Sequence, residues 1–243
     1  MNYKHGEYNG YKCVSFEFEG YDATVVFPNN PTRRKKWMFK TEYFKAFPAF
    51  QDKMLSRGYY LVNIKNETRW CLESDTDRQA RFARFLQKTF GLYKKCVTVG
   101  MSCGGMQSLF LAARYPELVA VQYLDAPVVN YLSCPCAVGD AVCNEKMYNE
   151  FVAATGLTVS DLIIRRNNPQ DVLECFKRYR IPVILVAGDS DTVVPYHENG
   201  KAVEDFYKSH RLPIEVHIKE GCDHHPHSLD DVTPIIDFIE KYY

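Results

Sequence analysis

Apolar positions along the chain switch between a period of two and a period near four, and the switches lay out its elements. Val14, Phe16 and Phe18 alternate with polar neighbours over 11–19 (YKCVSFEFE), the mark of a strand with one face in solvent. Residues 22–27 (DATVVF) are more continuously apolar until Pro28-Asn29-Asn30-Pro31 stops them. A basic segment, 32–36, leads to Trp37, Met38 and Phe39. Phe44, Phe47, Phe50, Met54 and Leu55 then recur at helical spacing, which predicts a helix over about 41–57 with a kink at Pro48. Residues 59–64 (YYLVNI) read as a strand. Residues 75–90 read as a helix with Ala80, Phe82, Phe85, Leu86 and Phe90 on one face and Gly91 closing it. Further strands are predicted over 96–99, 119–124, 181–187 and 214–218. Helices are predicted over 105–114, 198–209 and 234–242.

Strands alternating with helices predict an α/β domain, a mostly parallel twisted sheet with helices on both faces. The alternation lapses over about 126–178, where a loop (130–142) and short helices at 145–155, 158–165 and 169–178 replace it. This stretch is too small for a separate domain and reads as a cap-like insertion over the strand ends, so 1–243 is taken as a single domain. Ligands of such sheets bind outside the carboxyl ends of the strands.

At one of those ends stands Lys95–Gln107, KCVTVGMSCGGMQ. Cys96–Val99 is a buried-strand run, Gly100-Met101-Ser102-Cys103-Gly104 fits G-x-S-x-G, and a helix follows at once. A turn this sharp forces the middle serine into a strained backbone and leaves no room for side chains beside it. Glycine at the flanking positions removes the collisions and exposes the Ser102 hydroxyl. The helix start beneath it favours developing negative charge. A serine hydroxyl needs a base, and the base needs a third group to hold its tautomer. In a sheet of this kind these follow in the order acid, then histidine, at the ends of later strands. Gly188-Asp189-Ser190-Asp191-Thr192-Val193-Val194-Pro195 follows one such strand, and Gly221-Cys222-Asp223-His224-His225-Pro226-His227 follows the next.

With those residues the chain resembles an α/β-hydrolase of the serine esterase and peptidase type over nearly its whole length. The G-D-S-D-T-V-V-P segment is similar to the acid loop G-x-x-D-x-x-V-P of that superfamily, which selects Asp191 over Asp189. The histidine loop G-x-G-H selects His224 over His225, with Asp223 standing where glycine is usual. The strings D-H-H-P-H-S-L and D-A-P-V (125–128) resemble a bacterial group of such hydrolases, many of unassigned substrate. The resemblance implies an oxyanion hole made by the backbone N–H of Cys103 and a second N–H from the loop after an early strand. The H-G-G-type sequence is missing, and the stretch 28–31 offers Asn29, with Asn30 beside it. Glucuronoyl esterases carry arginine at the place of Cys103, which argues against their chemistry.

Composition narrows this reading. Thirty basic residues balance thirty acidic ones, so no field points to nucleic acid or an anionic membrane. The first twenty residues lack a signal-peptide core and no apolar run is long enough to span a bilayer, so a cytoplasmic location is expected. Nine scattered cysteines then read as reduced thiols. Asp223, His224, His225 and His227, or Cys134, Cys136 and Cys143, invite a metal reading, but neither set has the paired spacing of structural zinc. No metal and no cofactor is expected. The expected activity is hydrolysis of a small-molecule carboxylic ester through an acyl-enzyme. A peptidase or amidase with the same triad, or a non-catalytic binder on the same scaffold, is the alternative. Arg33, Arg34, Lys35 and Lys36 before Trp37, if at the pocket mouth, suit acetyl or aromatic-acid esters of carbohydrates. The bland reading is a solvated loop anchored by a core tryptophan. Oligomeric state is not legible.

Overall fold

The computed structural model describes residues 2–142, 144–164 and 168–243. Its strands are β1 (Lys4–Tyr8), β2 (Tyr11–Phe18), β3 (Tyr21–Val26), β4 (Trp37–Lys40), β5 (Tyr60–Ile64), β6 (Cys96–Met101), β7 (Val119–Asp125), β8 (Val183–Gly188) and β9 (Ile214–Lys219). They form one sheet in the order β1-β2-β3-β5-β4-β6-β7-β8-β9. The first three make an antiparallel meander that meets β5 antiparallel. From β5 onward every pair is parallel. A parallel sheet must be covered on both faces. Helices α2 (Glu73–Phe90), α3 (Cys103–Arg114) and α7 (Gly200–Ser209) pack on one face, α1 (Ala49–Ser56) and α8 (Thr233–Tyr242) on the other. Strand β4 shows the division at single-residue resolution: Trp37 and Phe39 enter the first core, Met38 the second.

Between β7 and β8 run α4 (Glu145–Thr155), α5 (Val159–Ile164) and α6 (Phe176–Tyr179). Phe151 and Leu162 join Trp70, Cys103, Met106, Tyr131 and Cys134 in a small third core. This core lies against the start of α3, so the insertion is anchored beside Ser102. The last residue of the helix expected over 158–165 lies outside the described residues.

One expectation fails, and strand β4 goes unpredicted, for local reasons. The helix expected over 41–57 exists only from Ala49, with Pro48 as its N-cap. Tyr43 and Phe47 have φ of 52° and 47°, values no right-handed helix accepts, so 41–48 stays irregular. Strand β4 has four residues, too few for a period to show, yet it lies between β5 and the serine-bearing β6.

The last residue of β4 carries an electrostatic cost. Lys40 is fully buried, donating to the Ala46 carbonyl at 3.1 Å and reaching Met101 Sδ at 3.0 Å. Burial pulls its pKa down to about 7, against an opposing pull from the Asp125 carboxylate. Unfolded, a lysine titrates near 10.4, so above about pH 7 the unfolded chain holds more protons at this residue. The penalty is therefore complete below pH 7 and relieved as pH rises. In urea unfolding, the stability of Lys40→Met minus that of wild type is expected to be larger at pH 6 than at pH 9. An equal difference at both would show that Lys40 does not change protonation on folding.

Candidate active site

Strand β6 ends at Met101 and α3 begins at Cys103, which leaves Ser102 alone to turn the chain. Its φ and ψ are 52° and −122°, a conformation costing on the order of 1–3 kcal/mol. Three backbone hydrogen bonds hold it. Ser102 N–H donates to the Asp125 carbonyl at 2.9 Å, and its own carbonyl accepts from Gly105 N at 2.9 Å and Val128 N at 3.1 Å. A Cβ at residue 100 would lie 2.4 Å from the Gly104 carbonyl oxygen, and one at residue 105 would lie 2.4 Å from Pro127 Cβ. Gly100 and Gly105 are thus the sterically obligatory glycines. At Gly104 the nearest atom, Thr41 Oγ1, would be 3.1 Å away.

The loops after β8 and β9 bring the other two groups over this serine. His224 Nε2 lies 3.1 Å from Ser102 Oγ, and its Nδ1 lies 2.8 Å from Asp191 Oδ2. The other Asp191 oxygen accepts the backbone N–H groups of Val193 and Val194 at 2.9 and 2.8 Å. These bonds fix the orientation of the carboxylate. Asp191 and His224 are both buried. Asp189 is exposed and points elsewhere, accepting from Gly221 N at 2.8 Å and Ser190 Oγ at 2.9 Å. Asp223, the residue in place of glycine, ties the two loops together. Its Oδ1 accepts from Thr192 N at 2.8 Å and His224 N at 2.7 Å. Those bonds hold its carboxyl below the ordinary value.

A pocket of about 400 Å³ opens at Ser102, walled by Phe47, Met101, Cys103, Cys134, Met147 and Val193, with Arg69 at its edge. Arg69 is held by a two-pronged ion pair to Glu150, at 2.8 and 2.7 Å. The Cys103 thiol is pushed up to about 11 by burial, so it is a neutral wall residue at physiological pH. Cys134 also faces the pocket, and Cys143 lies outside the described residues.

Sequence reasoning missed a second histidine–carboxylate pair here. His227 Nδ1 meets Asp125 Oδ1 at 2.7 Å, while Asp125 Oδ2 accepts from Ser228 N and Tyr123 Oη, each at 2.6 Å. Burial works against the Asp125 charge, but the bonds from His227, Tyr123 and Ser228 outweigh it and hold the carboxyl below its ordinary value. The signal was present, because Asp125 closes a parallel strand beside the serine strand.

Three residues assigned to the site from sequence lie at the far end of the sheet. Strand β3 runs antiparallel to β5, so its exit delivers Asn29 and Asn30 to the amino end of β5, where Thr32 N bonds the Gly58 carbonyl at 2.9 Å. Trp37 begins β4 at that same end, fully buried, with Nε1 donating to the Tyr93 carbonyl at 2.7 Å. The basic segment is occupied there too: Lys35 donates to the Phe90 carbonyl at 3.0 Å and Arg34 covers the Tyr93 ring. None of these borders the pocket. The loop that does adjoin the start of α3 follows β4. A Cβ on Gly104 would lie 3.4 Å from Glu42 N, and Tyr43, Ala46 and Phe47 line the pocket.

Residues 63–234 match the family model named Esterase, described as "Putative esterase". The chain belongs to this family, and so to the α/β-hydrolase superfamily. It is a hydrolase fold by structure as well. Porphyromonas gingivalis dipeptidyl peptidase 4 superposes with a TM-score of 0.70 at 15% identity, over 98% of this chain and 36% of that one. A puromycin-hydrolyzing peptidase of Mycobacterium tuberculosis superposes with a TM-score of 0.67 at 16% identity, over 84% and 34%. The chain thus spans about a third of the length of these proteins. No curated protein matches the sequence closely enough to count as a relative. Among the described residues no helix is long and apolar enough to cross a membrane.

The geometry separates each candidate from its sequence neighbour. His224→Ala is expected to lower kcat on a p-nitrophenyl ester by several orders of magnitude, and His225→Ala by less than about tenfold. Asp191→Asn is expected to cost roughly 10⁴-fold through the wrong imidazole tautomer, and Asp189→Asn less than about tenfold. Steady-state kinetics on the four variants check the order, and a larger loss at His225 or Asp189 reverses the assignment.

Proposed function

We propose that the family's hydrolase chemistry is carried out here by Ser102, His224 and Asp191 on carboxylic esters. The observation that carries this reading is the continuous chain of short contacts from Ser102 Oγ through His224 to Asp191, opening on a pocket. Ser102 Oγ attacks the acyl carbon as His224 Nε2 takes its proton, and the C–O π electrons move to the carbonyl oxygen. That oxyanion faces the start of α3, where the Cys103 N–H is one donor and the loop after β4, which lines the pocket with Tyr43, Ala46 and Phe47, supplies the second. The tetrahedral centre collapses, the bond to the alkoxy oxygen breaks, and His224 returns the proton to the departing alcohol. Water, deprotonated by the same imidazole, then attacks the acyl-serine. Its collapse releases the carboxylic acid and regenerates Ser102. Asp191 holds the imidazole tautomer throughout and stabilises the imidazolium.

Ester rather than amide is supported by the family description. About 400 Å³ lined by sulfur, aliphatic and aromatic groups, with Arg69 and three histidines beside them, suits an apolar acyl chain. Peptide cleavage is the second reading, favoured by the peptidases among the structural neighbours. The carbohydrate preference loses its basis, since the basic segment and Trp37 lie at the other end of the sheet.

A panel of p-nitrophenyl esters from C2 to C12 and matched alanyl p-nitroanilides tests the proposal. The esters are expected to exceed the anilides by about 100-fold in kcat/KM, and the dependence on chain length maps the pocket's depth. Ser102→Ala is expected to lose roughly four to six orders of magnitude in kcat and all labelling by a fluorophosphonate. Anilides hydrolysed as fast as esters would make this a peptidase, and labelling at another serine would remove Ser102.

A further inference from the structure

The histidine loop places three imidazoles at the mouth of the pocket, and the proposed reaction uses one. His224, His225 and His227 pack with ring centroids 4.8–5.0 Å apart, and one nitrogen of each lies within 4.8 Å of the others. The edge of a tetrahedral zinc site with Zn–N bonds of about 2.0–2.1 Å measures about 3.3 Å, so closing the set needs movements near an ångström. His225 can supply them. It is exposed and held mainly by stacking on Phe47, at 5.4 Å between centroids.

The surroundings are those that metal-binding imidazoles require. A ligating histidine donates its second ring N–H to a carboxylate, which fixes the tautomer and makes the other nitrogen more basic. Two of these three have that arrangement: Asp191 receives His224 Nδ1 at 2.8 Å and Asp125 receives His227 Nδ1 at 2.7 Å. Both carboxylates are buried, Asp191 further held by two backbone N–H groups and Asp125 by one. His224 Nε2 and His227 Nε2 are therefore the nitrogens left with lone pairs, on residues that line the pocket. Ser102 Oγ, 3.1 Å from His224 Nε2, is the hydrogen-bond partner that a metal on that nitrogen would displace. Imidazole-rich sites with an open position suit zinc and its late first-row neighbours.

We infer that His224, His225 and His227 form a reversible zinc site that inhibits this enzyme. Zinc takes the Nε2 lone pair that would otherwise accept the Ser102 proton, so the serine loses its base while metal is bound. No bond is broken and no electron transferred; the metal is exchanged for a hydrogen bond. The inference rests on His224 being the base only in its inhibitory half. Metal binding itself stands on the three rings and two buried carboxylates.

The test separates the two halves. Zinc binding is measured by calorimetry, and cobalt in its place by the visible absorption of a tetrahedral ion, on metal-stripped protein. Expected are one zinc per chain, an intense cobalt band, and at least a tenfold weaker affinity in His225→Ala and in His227→Gln. Circular dichroism checks that both variants fold. Ser102→Ala is expected to bind zinc at least as tightly as wild type, because the hydroxyl no longer competes for His224. Hydrolysis of p-nitrophenyl acetate and fluorophosphonate labelling of wild type are expected to fall at least tenfold at saturating zinc and to return with EDTA. In His225→Ala the zinc concentration for half-inhibition, relative to that variant's own rate, is expected to rise at least tenfold. Unchanged zinc affinity in His225→Ala and His227→Gln would overturn the site. Full activity with zinc bound would overturn the inhibition. A wild type without any hydrolysis that still binds zinc through these residues would remove the hydrolase reading and leave the metal site standing.

Discussion

The backbone of Ser102 is the constraint on which the rest of the arrangement depends. Held at φ 52° between a strand and a helix, it keeps that conformation because its neighbours leave the chain no other course. Glycine at 100 and 105 lets Gly104 and Pro127 close in, and the Asp125 carbonyl fixes the serine from the adjoining strand. Strain concentrated in one residue is borne by packing on both sheet faces. The parallel strands deliver every other participant to the same edge without further adjustment.

That dependence explains what could be read from the sequence. Ser102, Asp191 and His224 each follow a strand of six residues and sit inside a short string whose order is dictated by sheet topology. Periodicity finds such strands, and the turn residues mark their ends. Strand β4 escaped because four residues give no period and its neighbour in space, β6, is over fifty positions away. Without it the loop after β3 reads as the one beside Ser102, which places Asn29, Asn30 and Trp37 at the wrong end. Sequence shows where strands are, but whether β3 runs up or down is decided by its partner.

Asp125 was harder to see for a different reason. An aspartate after an apolar strand reads as a chain reversal, and only the three-dimensional register shows His227 and Ser228 arriving beside it. One residue thereby supports two parts of the site: its carbonyl steadies the serine and its carboxylate steadies the histidine loop. Lys40, also buried, lies near enough to feel that charge.

Asp223 has a consequence for how this site can change over generations. By joining Thr192 to His224 it makes the acid and histidine loops one braced piece, and Asp125 braces that piece to the serine turn. Reactive groups fastened this way tolerate little variation. Cys134 and Met147, by contrast, reach the pocket as wall side chains from the stretch between β7 and β8. Replacements there can reshape what is admitted while the bond-breaking apparatus stays as it is. The molecule thus keeps its braced groups apart from the wall that shapes the pocket.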